Sequence, residues 1–203
     1  MTQVSASLVK ELRDKTGAGM MDCKKALSEA EGSIDKAIEV LRKKGLQKAE
    51  KRAGKLAAEG SVFSYIHAGG RIGVILELNS ETDFVSKGDD FQNLGREVAM
   101  HIAWANPKYV KPEEVPAEVL EKEKEILKAT LKPEQAKMAD KIVEGKINKY
   151  FTEVCLEEQL DAKDPTAKKK IGTMVSEMGA KLGENISIRR FVRFEVGLSL
   201  IHI

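Results

Sequence analysis

The stretch from Gly60 to Val85, GSVFSYIHAGGRIGVILELNSETDFV, decides the fold. Two runs rich in β-branched residues, 62–66 and 72–78, flank Gly69-Gly70, which is the pattern of a β-hairpin. The second run is almost continuously apolar, so we expect a central strand that is covered on both faces. Such a strand needs a third strand beside it.

The third strand is expected over 186–196, near the end of the chain. Alternation with a period of two predicts opposite faces for two sets of side chains: Ile186, Ile188 and Phe194 against Arg189, Arg193 and Glu195. The core is therefore predicted to be α+β, with a small three-stranded antiparallel sheet and covering helices.

Apolar residues recur at helical spacing three times before the sheet. We expect helices over 5–15, over 23–30 with Asp22 as its cap, and over 34–44 with Gly45 as the stop. They form a compact three-helix domain over residues 1–45. Residues 46–59 carry several lysines and arginines among alanines, which favours a solvated helical linker.

The remaining domain, residues 60–203, is rich in helical patterns. The periodicity from Phe91 to Ile102 predicts a helix that covers the sheet. Further helices are expected over 118–131, 133–143, 147–160 and 165–182, and the region of about 116–160 is predicted to contain a helical hairpin.

Composition excludes several functions. The 34 Lys and Arg residues against 32 Asp and Glu residues leave a formal charge of +2, and aromatics are only 5%, which disfavours a general nucleic-acid binder. Two cysteines without a CxxC motif, and no long apolar stretch, indicate a cytoplasmic protein without a metal, a cofactor or a membrane segment. No nucleophile and base can be paired by spacing, so we expect no enzyme, and His101 is expected to be a satisfied, partly buried histidine.

Two segments are candidates for contact with a partner. Thr16 to Met21 lacks the motif of a phosphate loop and is expected to be a helix–helix turn, where Met20-Met21 either packs inward or is exposed for a partner. Asn79 to Val85 leaves the central strand as a loop. Its Phe84 either tucks back onto the core or projects as a wedge into another protein's pocket, with Asp83 beside it.

Three separated motifs carry a resemblance: TGAGMMDCKKAL at 16–27, ETDFV at 81–85 and GENISIRRFVRFE at 183–195. Together they resemble the elongation factor Ts family of guanine nucleotide exchange factors. The resemblance implies an N-terminal domain like the ubiquitin-associated fold, a linker, and a core with a three-stranded sheet and a helical hairpin. The chain resembles the short form of the family, which implies a homodimer that forms a two-to-two complex with elongation factor Tu.

The resemblance also implies two partner-binding regions. Thr82, Asp83, Phe84 and Val85 match the stretch associated with displacing Mg²⁺ from the GDP complex of elongation factor Tu, which promotes GDP release. The N-terminal region that touches the same G domain is matched by Arg13, Met20, Met21, Cys23 and Lys24. The tail 198–203 departs from the family pattern, and the last strand has no cysteine for a covalent dimer.

Two other functions compete with this one. The chain could be an RNA-binding or ribosome-associated protein that uses the linker residues Lys48, Lys51, Arg52 and Lys55, in which case its binding should weaken steeply with salt. It could also be a dimeric scaffold without exchange activity. A nucleotide-release assay with elongation factor Tu separates the three hypotheses.

Overall fold

The computed structural model describes residues 4–52, 54–131, 138–164 and 168–197. Along the chain the main elements are α1 (Ala6–Thr16), α2 (Met20–Glu29), α3 (Ile34–Arg52), β1 (Glu59–Ile66), β2 (Ile72–Ser80), α4 (Asp83–Ser86), α5 (Asp89–Ala105), α6 (Ala117–Ala129), α7 (Ala139–Val154), α8 (Ile171–Leu182) and β3 (Ser187–Glu195). This order confirms the predicted α+β class.

The sheet has the order β1-β2-β3 and is antiparallel. The predicted hairpin is confirmed, since His67 N donates to Ile72 O at 2.9 Å across a turn in which Gly69 and Gly70 both have positive φ. Residues of β2 and β3 pair in opposite directions, with Val196 N bonded to Arg71 O at 2.9 Å.

One face of the sheet is covered by α5. Phe63 is buried against Gly95, where an added Cβ would lie 2.3 Å from the phenyl ring. Arg193 also lies on this side, because its Nε donates to Ala103 O at 3.2 Å. The guanidinium group thus satisfies a helix-end carbonyl beside the sheet.

The other face of the sheet is open, contrary to the prediction. Ile75 of the central strand is 47% exposed and Phe194 is 63% exposed, so the expectations that both faces of β2 are covered and that Phe194 shares one face with the buried Ile188 are wrong. Ile188 is buried, but Arg189 and Arg190 are both exposed, so the alternation changes phase within β3. An almost continuous apolar run therefore does not by itself show that both faces of a strand are buried within its own chain.

The chain divides into two compact units. The first comprises Met1–Gly60, Asn79–Phe91 and Val175–Ser187, and the second comprises the rest, including most of the sheet. Within the first unit, α1, α2 and α3 pack around an apolar cluster that includes Leu12, Cys23, Leu27 and Ala37. Tight turns with Gly17 at φ 66° and Gly32 at φ 85° let these short helices meet.

Two predicted helix ends are wrong. The second helix begins at Met20 with Gly19 as its N-cap, so Asp22 lies inside the first turn. Its negative charge interacts favourably there with the positive end of the helix dipole. The third helix passes through Gly45 to Arg52. Gly45 permits close packing instead of ending the helix, since an added Cβ would lie 3.2 Å from the Ala180 methyl group.

The helices of the second unit differ from the prediction in their division. Helices α6 and α7 pack together as the predicted hairpin, but α7 is one helix where two, over 133–143 and 147–160, were expected. Gly145 does not interrupt it, because a single glycine in a helix costs only about 1 kcal/mol. The predicted helix starts at 133 and 165 and the tail 198–203 lie outside the described residues.

Candidate functional site

The segment after β2 is a helical turn, not the predicted loop. Thr82 is extended and forms the N-cap of α4, and its side-chain oxygen accepts a hydrogen bond from Val85 N at 3.4 Å. Thr-Asp at the start of a turn is a typical capping sequence, so the signal was present in ETDFV. The turn holds its residues in a defined orientation.

Phe84 projects from this turn into solvent. Its side chain is 85% exposed, so the alternative in which it tucks back onto the core is wrong. The ring borders a shallow groove of about 460 Å³ that is lined by Val85, Leu182 and the start of α5. Large exposed aromatic side chains of this kind are typical anchors in protein interfaces.

Asp83 is also exposed and pairs with Lys87. The Asp83 Oδ2 and Lys87 Nζ atoms are 2.7 Å apart, one helical turn from each other. The hydrogen bond and the charge of Lys87 lower the pKa of Asp83, which therefore remains ionised at neutral pH. A surface pair of this kind is weak and exchangeable, so a partner can compete for the carboxylate.

Glu81 ties the turn to two other segments of the first unit. Its Oε1 accepts from Asn185 N at 2.7 Å and from Arg52 Nη1 at 3.0 Å, and its Oε2 accepts from Lys55 Nζ at 3.3 Å. These bonds, with the Asn185 backbone donor foremost, lower the pKa of Glu81. The carboxylate thus joins the end of α3 and the 183–186 turn to the base of α4.

Glu184 holds the turn from the other side. One carboxylate oxygen accepts from Thr82 N at 3.1 Å, and the other accepts from the Thr82 hydroxyl group. The side-chain Nδ2 of Asn185 donates a further hydrogen bond to Lys55 O at 2.8 Å. Sequence reasoning assigned no role to Glu81, Glu184 or Asn185, although the quoted motifs ETDFV and GENISIRRFVRFE contain all three.

The N-terminal candidates lie at the turn between α1 and α2. Met20 and Met21 are 57% and 65% exposed, which favours the exposed alternative over inward packing. Arg13 and Lys24 are exposed as well. Cys23 differs, because it is fully buried and its thiol donates to Ala18 O, so its side chain belongs to the core of the helices.

His101 is buried as predicted, but only half of its ring is satisfied. Its Nε2 lies 3.1 Å from Gln159 Oε1, whereas Nδ1 has no hydrogen-bond partner within the part of the chain that the structure describes. Burial lowers the pKa of the imidazole. It is remote in sequence from both candidate segments, and we assign it no functional role.

These features define a class of protein. The candidate residues form exposed apolar and ionic surfaces on ordered turns, which is the chemistry of a factor that acts by binding another protein. Over the described ranges, no set of three His, Cys, Asp or Glu side chains is grouped as metal ligands would be, and none of the helices is long and apolar enough to cross a membrane.

Comparisons with known proteins identify the family. Residues 2–198 match the family description "Elongation factor TS". Similar relatives, each named elongation factor Ts, come from Finegoldia magna (55% identity over 98% of this chain and 92% of the relative), Alkaliphilus oremlandii (58%, 96% and 89%) and Caldanaerobacter subterraneus subsp. tengcongensis (57%, 96% and 97%).

The chain therefore belongs to the elongation factor Ts family, which confirms the resemblance found in its motifs. It is a guanine nucleotide exchange factor for elongation factor Tu in translation elongation, and it is not an enzyme. This result favours the exchange function over the RNA-binding and scaffold hypotheses. Two of the linker cations on which the RNA hypothesis depended, Arg52 and Lys55, are bonded to Glu81.

Proposed function

We propose that Thr82, Asp83, Phe84 and Val85 insert into the G domain of elongation factor Tu and displace Mg²⁺ from its GDP site. The observation that supports this proposal is the 85% exposure of Phe84 on a turn that Glu81 and Glu184 hold in place. Because hydrogen bonds already hold the backbone of this turn, the turn loses little conformational freedom when a partner buries the ring. The ionised Asp83 can exchange Lys87 for a group of the partner.

A second contact comes from the N-terminal helices. Arg13, Met20, Met21 and Lys24 supply exposed apolar and basic atoms for the same G domain, and the methionines can adapt to its surface. The buried Cys23 acts only by packing α2. Two separate contacts allow the factor to hold a partner that has lost its nucleotide.

The exchange mechanism follows from linkage. Mg²⁺ bridges protein and phosphate in a GTPase, so losing it weakens the binding of GDP. A factor that binds the nucleotide-free form more tightly lowers the GDP affinity by the same factor, and each tenfold requires about 1.4 kcal/mol of differential contact. Burying one phenyl ring contributes roughly 1.5 to 3 kcal/mol, so Phe84 accounts for one or two decades and the N-terminal contact adds to it.

The homodimer and its two-to-two complex are part of the proposal. The open face of the sheet carries Val62, Ile66, Ile75, Val192, Phe194 and Val196, all of them exposed. A second copy of the chain with the same apolar face would cover it symmetrically.

We also propose that the protein acts in the cytoplasm without binding nucleic acid or a cofactor. Its proposed domains are residues 1–45, 46–59 and 60–203.

The variant Phe84→Ala tests the wedge. Release of a fluorescent GDP analogue from elongation factor Tu should slow by about 10- to 100-fold, since the lost ring burial is worth one or two decades. The melting temperature should stay nearly constant, because the ring touches little of its own chain. Ile126→Ala, at an exposed apolar residue of α6, is the matched control. Unchanged GDP release in Phe84→Ala would exclude the wedge from the mechanism.

A further inference from the structure

The end of α8 touches both proposed partner-binding regions. From Val175 to Ser187 the chain belongs to the first unit, together with the N-terminal helices and the turn that bears Phe84. No sequence motif pointed to Glu177 or Lys181, and the proposed exchange mechanism does not use them. Their contacts connect the regions that we assign to binding.

On one side, α8 packs against the N-terminal helices. Glu177 Oε1 lies 2.7 Å from Arg42 Nε of α3. One turn later, Ala180 lies so close to Gly45 that an added Cβ would be 3.2 Å from its methyl group. The contact is thus both ionic and tightly packed.

Lys181 extends this contact to the turn that precedes Met20. Its Cε would lie 2.7 Å from a Cβ added at Gly17, the residue that ends α1. Its Nζ donates to Asp90 Oδ1 at 2.8 Å, at the start of α5. One side chain therefore spans from the methionine turn to the helix that follows Phe84.

On the other side, the turn after α8 holds the wedge. Gly183 N and Glu184 N both donate to Gly179 O, at 2.8 and 3.1 Å. An added Cβ at Gly179 would lie 2.8 Å from Glu184 O, so this turn is closed tightly against the helix. It presents the Glu184 carboxylate to Thr82, the N-cap of the Phe84 turn.

We propose that Glu177, Lys181 and Glu184 are positioning residues that hold the Met20-Met21 and Phe84 contacts at the fixed spacing that one partner surface requires. This inference rests on the proposed function of those two contacts. Two contacts on a rigid support bind with a high effective concentration, whereas loosely connected ones lose binding free energy to ordering. The end of α8 is then the spacer of the exchange factor.

A reversible cross-link tests the spacer. A Cβ added at Gly45 would lie 3.2 Å from the Ala180 Cβ, so a shift of a few tenths of an ångström brings the double variant Gly45→Cys/Ala180→Cys into the range of about 3.5 to 4.5 Å for bridged Cβ atoms. Both native cysteines are buried, so mild oxidation will join the introduced pair. The oxidised protein should stimulate GDP release from elongation factor Tu at a rate within about twofold of the rate given by the reduced protein. A loss of tenfold or more that is restored by reduction would overturn the proposal, because the helices would then have to leave α8.

A rescue experiment separates positioning from simple stability. Arg42→Met/Lys181→Met keeps the aliphatic stems and removes the bonds to Glu177 and Asp90. Affinity for nucleotide-free elongation factor Tu should fall by about 3- to 10-fold at a temperature far below melting, given the usual strength of such pairs. The oxidised Gly45–Ala180 cross-link in the same background should restore it. Unchanged affinity, or no rescue, would overturn the proposal.

Two further variants distinguish a failure of the spacer proposal from a failure of the proposed function. Phe84→Ala and Met21→Ala are measured in the same GDP-release assay. If neither slows release, the two contacts themselves are wrong and the spacer falls with them. If both slow release but the cross-link inactivates the protein, only the spacer is wrong.

Discussion

The two exposed apolar regions of the chain are built differently. Phe84 is a single ring on a turn that carboxylates and backbone amides hold in place, and the Asp83–Lys87 ion pair lies on the same turn. The open sheet face carries several exposed apolar side chains together with the pair between Arg190 Nε and Glu77 Oε2 at 2.6 Å. An isolated ring with polar support suits a partner that binds and leaves, whereas a face with many apolar side chains suits a lasting interface between identical chains.

The largest effect is expected at the sheet face. Phe194→Asp puts a charge into each half of the proposed symmetric interface, so one substitution would remove the burial of two rings. At roughly 1.5 to 3 kcal/mol for each ring, the dimer dissociation constant should rise by about 10² to 10⁴. Light scattering coupled to size-exclusion chromatography at micromolar concentration should then report a monomer.

Ile126→Asp is the matched control for this experiment. Ile126 is also exposed and apolar, but it belongs to α6 and not to the sheet. This variant should keep the mass of the unaltered protein. Equal masses for the unaltered protein and Phe194→Asp would show that the sheet face is not the dimer interface, and the proposed contrast with Phe84 would fail.

The next effect is expected at the base of the Phe84 turn. Glu81→Ala removes the acceptor for Asn185 N, Arg52 and Lys55, so the turn should lose part of its support. GDP release should slow by about tenfold, because misplacing a contact group by about 1 Å can reduce a rate by up to about 10²-fold. Glu81→Gln keeps an acceptor for the backbone N–H of Asn185, so its rate of stimulated GDP release should lie between those of the unaltered protein and Glu81→Ala.

The control for Glu81 is another paired carboxylate. Glu97 pairs with Lys163 at 3.3 Å in the second unit, and Glu97→Ala should leave GDP release unchanged. The proposed dimer should also persist in Glu81→Ala, since the sheet face is not altered. If Glu81→Ala stimulates GDP release from elongation factor Tu at the rate of the unaltered protein, the carboxylate does not support the wedge.

The sequence predicted the elements better than their surroundings. Hairpin glycines, β-branched runs and helical periodicity are local signals, and they located the sheet, the N-terminal helices and the α6–α7 pair. The same signals failed at Gly45, whose role depends on Ala180 more than a hundred residues later. They failed again at Phe194, because the alternation of β3 changes phase within the strand.

The candidate site shows the same limit. The motif located Phe84 and Met20-Met21, and the composition left open whether these side chains were exposed. Glu81, Glu184 and Asn185 were invisible as a group, since their bonds join segments about a hundred residues apart. Hydrogen-bond partners over such distances follow from the fold and not from local spacing.

The smallest effect concerns the sheet's own covering helix and leaves both surfaces unchanged. Burial lowers the pKa of His101 in α5, although the Gln159 hydrogen bond and the charge of Asp161 oppose the shift. The unfolded chain takes up this proton near pH 6.5 and the folded chain only at lower pH, so the unfolded state binds more protons as the solution is acidified. The free energy of unfolding should therefore fall below pH 6.5, by at most about 1.4 kcal/mol per pH unit for one proton.

Urea unfolding at several pH values between 7.5 and 5.5 measures this slope, and His101→Gln should flatten it. Trp104 is the single tryptophan and its ring lies 6.0 Å from the imidazole, so its fluorescence can report the protonation of His101 in the folded state. That titration should have its midpoint below pH 6.5. Because we propose that GDP release depends on the surface around Phe84, the release rate should not follow this midpoint. A midpoint at or above 6.5, or an equal slope in His101→Gln, would show that the buried imidazole does not make the fold acid-sensitive.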